Sequence, residues 1–185
     1  MEVSSFQSYL LILFILLVII AFFVFRQFFK TRSEEISLVQ FEQKGIGSLN
    51  SASELYEFGS IQIKKRLYPQ AIETFLKAVE SYKDEPNEAK AIIENALGFS
   101  YAAQKDFTKA IKHYKIAIEA QPNYIVALNN LASARQNLLE YTKAYETYKK
   151  VLVIDPQNKT AIKKTKELEK RSNYNPFIEK KNRGF

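Results

Sequence analysis

The sequence predicts an all-α solenoid of three helix–turn–helix repeats plus a capping helix, preceded by one N-terminal transmembrane helix. Three observations predict it. Similar phrases recur at a spacing near 34 residues through the middle of the chain. Within each phrase, small and apolar residues follow the three-to-four spacing of a helix face and not the alternation of a strand. Residues 9–25, YLLILFILLVIIAFFVF, form a run of 17 without a charged side chain.

The apolar run comes first. A bilayer crossing takes roughly 17–25 residues at about 1.5 Å each. Phe28 and Phe29 extend the run past Arg26, so an N-terminal transmembrane anchor is assigned to residues 1–29. A cleaved signal peptide is the alternative; it needs a basic leading region, a shorter core and a small-residue cleavage site. Here MEVSSFQS leads without Lys or Arg, and RQFFKTR follows. A buried core helix is disfavoured because the run is apolar on every side. Arg26, Lys30 and Arg32 follow the span, so the positive-inside rule keeps the C-terminal part on the cytoplasmic side or its organellar equivalent. The sequon Asn158-Lys159-Thr160 then goes unused. Residues 30–50 form a linker whose first half, EEISLVQFEQ, is able to form a short helix, while KGIGSLN reads as loop.

The repeats follow. Ala71, Ala110 and Ala144 sit in YPQAIETFLKAVE, FTKAIKHYKIAIE and YTKAYETYKKVLV. Each has an aromatic three residues earlier (Tyr68, Phe107, Tyr141) and another four residues later (Phe75, Tyr114, Tyr148). Phe58-Gly59, Leu97-Gly98 and Leu131-Ala132 precede them by 13 and 12 residues. The step from Ala110 to Ala144 is 34; the step from Ala71 to Ala110 is 39, a five-residue insertion in SYKDEPNE. The small residues let paired backbones approach, with aromatics filling the gaps beside them. Ser51-Ala52-Ser53-Glu54 reads as a capping box. Pro69 fits a helix start, and Asp106, Asn87 and Asn123 stand where caps are expected. After Pro156, Ala161, Ile162, Thr165 and Leu168 share one face of a charged helix, as the end of a solenoid requires.

Composition restricts the chemistry. The chain has no cysteine and one histidine, which excludes disulfides, thiolate sites and multi-histidine metal sites. His113, between Lys112 and Lys115, reads as an exposed, solvated side chain at an outer helix position. No Walker loop and no HExxH motif occurs, so the chain is read as a non-enzyme without metal or cofactor. Of the net charge of +7, residues 159–185 carry 9 basic and 3 acidic residues, whereas residues 31–158 balance 16 against 16. Basicity is thus a property of the tail. Nucleic-acid binding through that tail, with Tyr174, Phe177 and Phe185, is a rival reading, but a neutral repeat domain argues against it.

A 34-residue helix–turn–helix period with this pattern is that of the tetratricopeptide repeat, TPR. In its register the chain divides into TPR 1 over 51–85, TPR 2 over 91–124, TPR 3 over 125–158, a capping helix over 159–171 and a basic disordered tail over 172–185. The resemblance implies a concave groove lined by the first helix of each repeat. It places Tyr56, Ser60 and Lys64 there from repeat one, Asn95 and Phe99 from repeat two, and Asn129, Ser133 and Asn137 from repeat three. Ile63, Ile92, Ala102, Ala103, Val126 and Gln136 complete the lining. Asn side chains carry donors and acceptors for a bound main chain, and Tyr56 and Phe99 supply anchors. The carboxylate clamp of chaperone co-factors uses basic residues and Asn. Tyr56, Ser60, Ala96, Val126 and Asn130 stand at its positions here, so that ligand is not expected.

NALGFSY, PNYIVALNNLA and VLVIDPQNKTAIKKTKELEKR behind one span carry a closer resemblance. Together they resemble the membrane-anchored TPR photosystem I assembly proteins of algal plastids and cyanobacteria. The resemblance implies a single-pass thylakoid protein with its repeats on the stromal or cytoplasmic side. It implies protein partners that are photosystem I subunits or other assembly factors. The alternative on the same fold is a scaffold or receptor for another membrane complex, in a bacterial inner membrane or an organelle.

Overall fold

The computed structural model describes residues 5–44, 49, 51–82 and 86–170. They form eight helices and, among the described residues, no strand, in two compact units, residues 1–45 and 46–185. The all-α expectation is met. The basic tail, residues 45–48 of the linker and residues 83–85 of the insertion lie outside the described residues.

The first unit is α1, Ser5–Lys44. Its 40 residues run about 60 Å at 1.5 Å each. Gln7–Phe29, 23 residues, is long and apolar enough to cross a membrane, and none of it is buried. Outward-facing apolar side chains on every side distinguish such a stretch from a core helix. The helix does not stop at Phe29. It continues through Lys44, so residues 30–44 of the expected linker are continuous with the apolar stretch. No Gly or Pro interrupts the chain there before Gly45, and Arg, Glu and Gln favour helix.

The second unit stacks three antiparallel helix pairs and a final helix. They are α2 (Ala52–Lys64) with α3 (Tyr68–Ser81), α4 (Asn87–Ala103) with α5 (Phe107–Ala120), and α6 (Ile125–Asn137) with α7 (Tyr141–Ile154); α8 (Lys159–Lys170) packs on α7. Each helix packs on the next, and α2 also touches α4, and α4 touches α6. The first helices of the repeats therefore form the inner wall, with α3, α5 and α7 outside.

Helix starts follow local chemistry. The Glu54 amide donates to Ser51 Oγ at 3.1 Å, and the Ser51 hydroxyl donates to the Glu54 carboxylate at 3.2 Å. Pro69 occupies the first turn of α3, where its missing N–H costs nothing. Asp106 accepts from the Lys109 amide at 3.1 Å. Asn87 and Asn123 do not cap. Pro86, already extended (φ −56°, ψ 150°), takes the N-cap position of α4, and Asn87 enters the helix. Tyr124 takes that position in α6. Asn158 does cap: the Ala161 amide donates to its Oδ1 at 3.1 Å, and its Nδ2 donates to Asp155 Oδ2 at 3.1 Å. The sequon is thus built into the start of α8.

All three turns within the repeats close alike. Leu67, Asp106 and Glu140 amides reach back to the carbonyls of Gln62, Tyr101 and Arg135 at 2.8, 3.0 and 2.9 Å. This is the Schellman closure, and it puts Arg66, Lys105 and Leu139 at φ 60°, 65° and 61°. None is glycine, so each turn carries left-handed strain.

The two helical glycines answer a more specific demand than backbone approach. A Cβ on Gly98 would lie 2.8 Å from the Tyr114 ring and 3.1 Å from the Ala110 carbonyl oxygen; one on Gly59 would lie 2.6 Å from the Phe75 ring. The aromatic four residues after the key alanine is what excludes a side chain. Phe75, Tyr114, Tyr148, Leu55, Leu97 and Leu168 are all essentially fully buried, and Ala161, Thr165 and Leu168 of α8 close the stack.

Candidate partner-binding groove

In each first helix the residues at repeat positions four, seven and eight face the second helix and are buried. A 3.6-residue period then turns positions two, five, nine, twelve and thirteen to the inner wall. Lys64, Phe99, Val126, Ser133 and Asn137 are exposed there; Tyr56, Ser60, Asn95 and Asn129 are half-buried.

Some of the predicted residues gather in two places along the wall, and Ser60 and Lys64 line neither hollow. Towards the N-terminal end, Tyr56 and Ile92 line a hollow of about 210 Å³ between α2 and α4 with Ala52, Ser53, Ala89 and Ile93. Asn95 is tied into the wall: its Oδ1 accepts from Asn130 Nδ2 at 2.9 Å, and its side chain bonds the Tyr124 hydroxyl. Burial pushes that hydroxyl above its ordinary pKa, and Tyr56 adds to the shift. Phe99 stands 41% exposed and Val126 50% exposed along the same wall.

Towards the other end, Ser133, Gln136 and Asn137 line a hollow of about 350 Å³ with Leu139, Tyr141 and Lys164. Lys164 comes from α8 and ion-pairs Glu167 at 2.8 Å. Sequence reasoning missed it because the capping helix was read only as a cover. Ser133 bonds the Tyr148 hydroxyl, which burial pushes up to about 12. Asn137 Nδ2 donates to the Ser133 carbonyl at 2.9 Å.

Asn95 and Asn129 hold the same repeat position yet differ. Asn129 Nδ2 reaches Asn158 Oδ1 only at 3.5 Å, and its own Oδ1 is buried without a partner. A buried acceptor left open carries a desolvation cost, so of the two amides Asn129 has the greater unmet bonding capacity.

His113 corrects the sequence reading. It is not exposed. Its side chain is 13% accessible, its Nδ1 lies 2.7 Å from Glu94 Oε2, and its ring stacks on Tyr101 at 5.4 Å. Tyr82 donates to Glu94 Oε1 at 2.6 Å, and burial first, then this bond, raises the Tyr82 hydroxyl pKa. Glu94 is 1% exposed, so a buried carboxylate with two partners links α4, α5 and the end of α3. Among the described residues no group of three or more His, Asp or Glu side chains could hold a metal.

The tetratricopeptide-repeat family pattern matches residues 91–124 and again 125–158. The chloroplastic tetratricopeptide repeat domain-containing protein PYG7 of Arabidopsis thaliana is 33% identical over 160 residues, which is 86% of this chain and 53% of that protein. This chain thus spans about half the length of PYG7. The ycf37 protein of Cyanophora paradoxa is 30% identical over 169 residues, 91% of this chain and 98% of that one. Among solved structures, the first TPR of Spaghetti (RPAP3), bound to the HSP90 peptide SRMEEVD, superposes with a TM-score of 0.59 at 23% identity, covering 64% of this chain and 90% of that one. That likeness is one of fold. With tetratricopeptide repeats in register and a ycf37 protein matched along nearly its whole length, the chain belongs to the ycf37 family of tetratricopeptide-repeat proteins.

Proposed function

We propose that this protein is a membrane-tethered scaffold that assists assembly or stability of photosystem I at the thylakoid. Its repeats stand on the stromal or cytoplasmic side, and the inner wall holds a segment of a photosystem I subunit or of another assembly factor. The observation that carries the reading is the pairing of one 23-residue apolar helical stretch with an inner wall that leaves Phe99 and Val126 exposed beside a network of amides. Exposed apolar anchors bordered by amides suit a protein segment, with the anchors filling its contacts and the amides pairing its main chain.

Tethering raises the effective concentration of the groove near membrane partners without any new contact. The kinship to ycf37 and to a chloroplastic relative supports the plastid setting, and the photosystem I role rests on the family resemblance. The RPAP3 domain takes an HSP90 tail ending in acidic residues. At the positions that the carboxylate clamp of the repeat family uses, this chain has Tyr56, Ser60, Ala96, Val126 and Asn130, with no cation among them, which supports a different ligand class. Purification of the tagged protein from mildly solubilised membranes tests the reading. Photosystem I subunits or assembly factors enriched over photosystem II support it. Envelope, import or ribosomal components in their place leave an anchored scaffold and remove the photosystem role.

A further inference from the structure

The fold holds a larger hollow that the inner wall does not use. Between α5 and α7, floored by α6, a cleft of about 530 Å³ opens on the outer side of repeats two and three. That size lies within the range of about 300–1,000 Å³ common to binding pockets. Ile118, Leu128 and Leu131 give it apolar surface, and Val153 and Ile154 form one rim.

The rim is not a demand of the repeat. At the positions of Val153 and Ile154, repeat two carries Glu119 and Ala120, and repeat one Glu80 and Ser81. Val153 is nevertheless 83% exposed. Apolar residues brought to the surface beside an apolar hollow mark an interaction site more often than single scattered ones do.

Charge selects the occupant. Lys115, Arg135 and Lys150 line the cleft against one acid, Glu119. Arg135 stands where repeats one and two have Gln62 and Tyr101. Its Nη1 donates to Thr147 Oγ1 at 2.5 Å and to the Lys143 carbonyl at 3.4 Å, while its Nε is buried with no acceptor. Thr147 and the Lys143 carbonyl thus hold the guanidinium in the cleft wall as a fixed positive charge, which attracts a carboxylate.

We propose that this outer cleft binds a short acidic, apolar segment of a partner protein. An aliphatic or aromatic side chain packs on Ile118, Leu128 and Leu131, and a neighbouring carboxylate pairs with Arg135 between Lys115 and Lys150. The surface is separate from the inner wall, so one scaffold engages two segments. Three cations around an apolar floor fit a peptide better than a polyanion, which needs an extended basic face.

The test uses the full chain in mild detergent, panned against a random dodecapeptide display library. The most enriched peptide is resynthesised with a fluorophore and titrated against wild type, Lys150→Glu, Val153→Asp and Phe99→Ala. All three residues are exposed, so circular dichroism should show the fold retained in each variant. The expected peptides pair a carboxylate with an aliphatic or aromatic residue. Lys150→Glu and Val153→Asp each weaken binding by about tenfold or more, and Phe99→Ala leaves it unchanged. Enriched peptides without acids, or binding indifferent to both cleft substitutions, overturn the proposal. Tighter binding after deletion of residues 171–185 assigns the cleft to the chain's own tail and also overturns it.

Discussion

Glu94 occupies the repeat position that holds Leu55 and Leu128 in the flanking repeats, and it is as buried as they are. Breaking its pair with His113 and replacing the pair whole are therefore unequal. His113→Leu leaves a buried carboxylate with Tyr82 alone and should destabilise the fold by about 3 kcal/mol. Glu94→Leu combined with His113→Leu replaces both members by apolar side chains and should stay within about 1 kcal/mol of wild type. Thermal unfolding of the two variants checks the asymmetry; equal losses would mean the pair contributes little. This pair was illegible in the sequence. Its members lie 19 residues apart on different helices, and His113 sits between two lysines that suggest a solvated face. The buried tyrosines add a pH dependence. Tyr148 ionises near 10 in the unfolded chain and at about 12 when folded, because burial disfavours its phenolate. Its folded pKa is raised, so its contribution is full below pH 10 and is lost as pH rises from 10 towards 12. Tyr82 and Tyr114 shift in the same direction. Melting temperatures should therefore fall over that interval, and Tyr148→Phe should flatten the fall.

At the scale of elements, the 34-residue period was readable because small and aromatic residues recur in step, and it led directly to paired helices. What fills the glycine notch was less readable. Alignment pairs Gly98 with Ala110, but the Tyr114 ring lies closer, and only packing shows this. Repeat three carries Ala132 against Tyr148 and so tolerates one methyl group. In repeat two the same methyl group would lie 2.8 Å from the buried Tyr114 ring, so Gly98→Ala should cost about 1 kcal/mol and Gly98→Val about 2–3 kcal/mol by overpacking. Urea unfolding followed by circular dichroism separates the two. The turns within repeats were also hidden, because a search for glycine passes over Arg66, Lys105 and Leu139. Leu139 is 69% exposed at φ 61°. Leu139→Gly should stabilise by about 0.5–1 kcal/mol, as release of left-handed strain exceeds the added entropy of the unfolded glycine. A lowered melting temperature would show instead that its side chain contributes contacts worth more than the strain. For α1 the sequence was legible in part: EEISLVQFEQ reads as able to form a helix, but its continuity with the apolar stretch did not show. Charges after Phe29 suggested a linker, yet nothing in residues 30–44 stops a helix that is already running.

At the scale of the molecule, the class of protein was legible and the details of its surfaces only partly so. Periodicity disclosed a solenoid, and a charge-free run disclosed a helix of membrane-crossing length. The inner-wall positions came from repeat register, which places a side chain on a face but not its bonds. Asn95 and Asn129 share a register position, yet one is bonded within the wall and the other holds an open acceptor. The outer cleft was missed because it depends on departures of single residues, Arg135 and Val153, from the other repeats.

We propose that the inner wall of the tethered solenoid holds a photosystem I client. This is tested most directly by Phe99→Ala combined with Val126→Ala, two exposed side chains whose loss leaves the core untouched. The tagged double variant and wild type are purified in parallel from solubilised membranes, and photosystem I subunits are quantified in each. At least about a tenfold loss of those subunits is expected with the protein still in the membrane fraction, as removal of two interface anchors would produce. Undiminished recovery would contradict it and move the client to another surface.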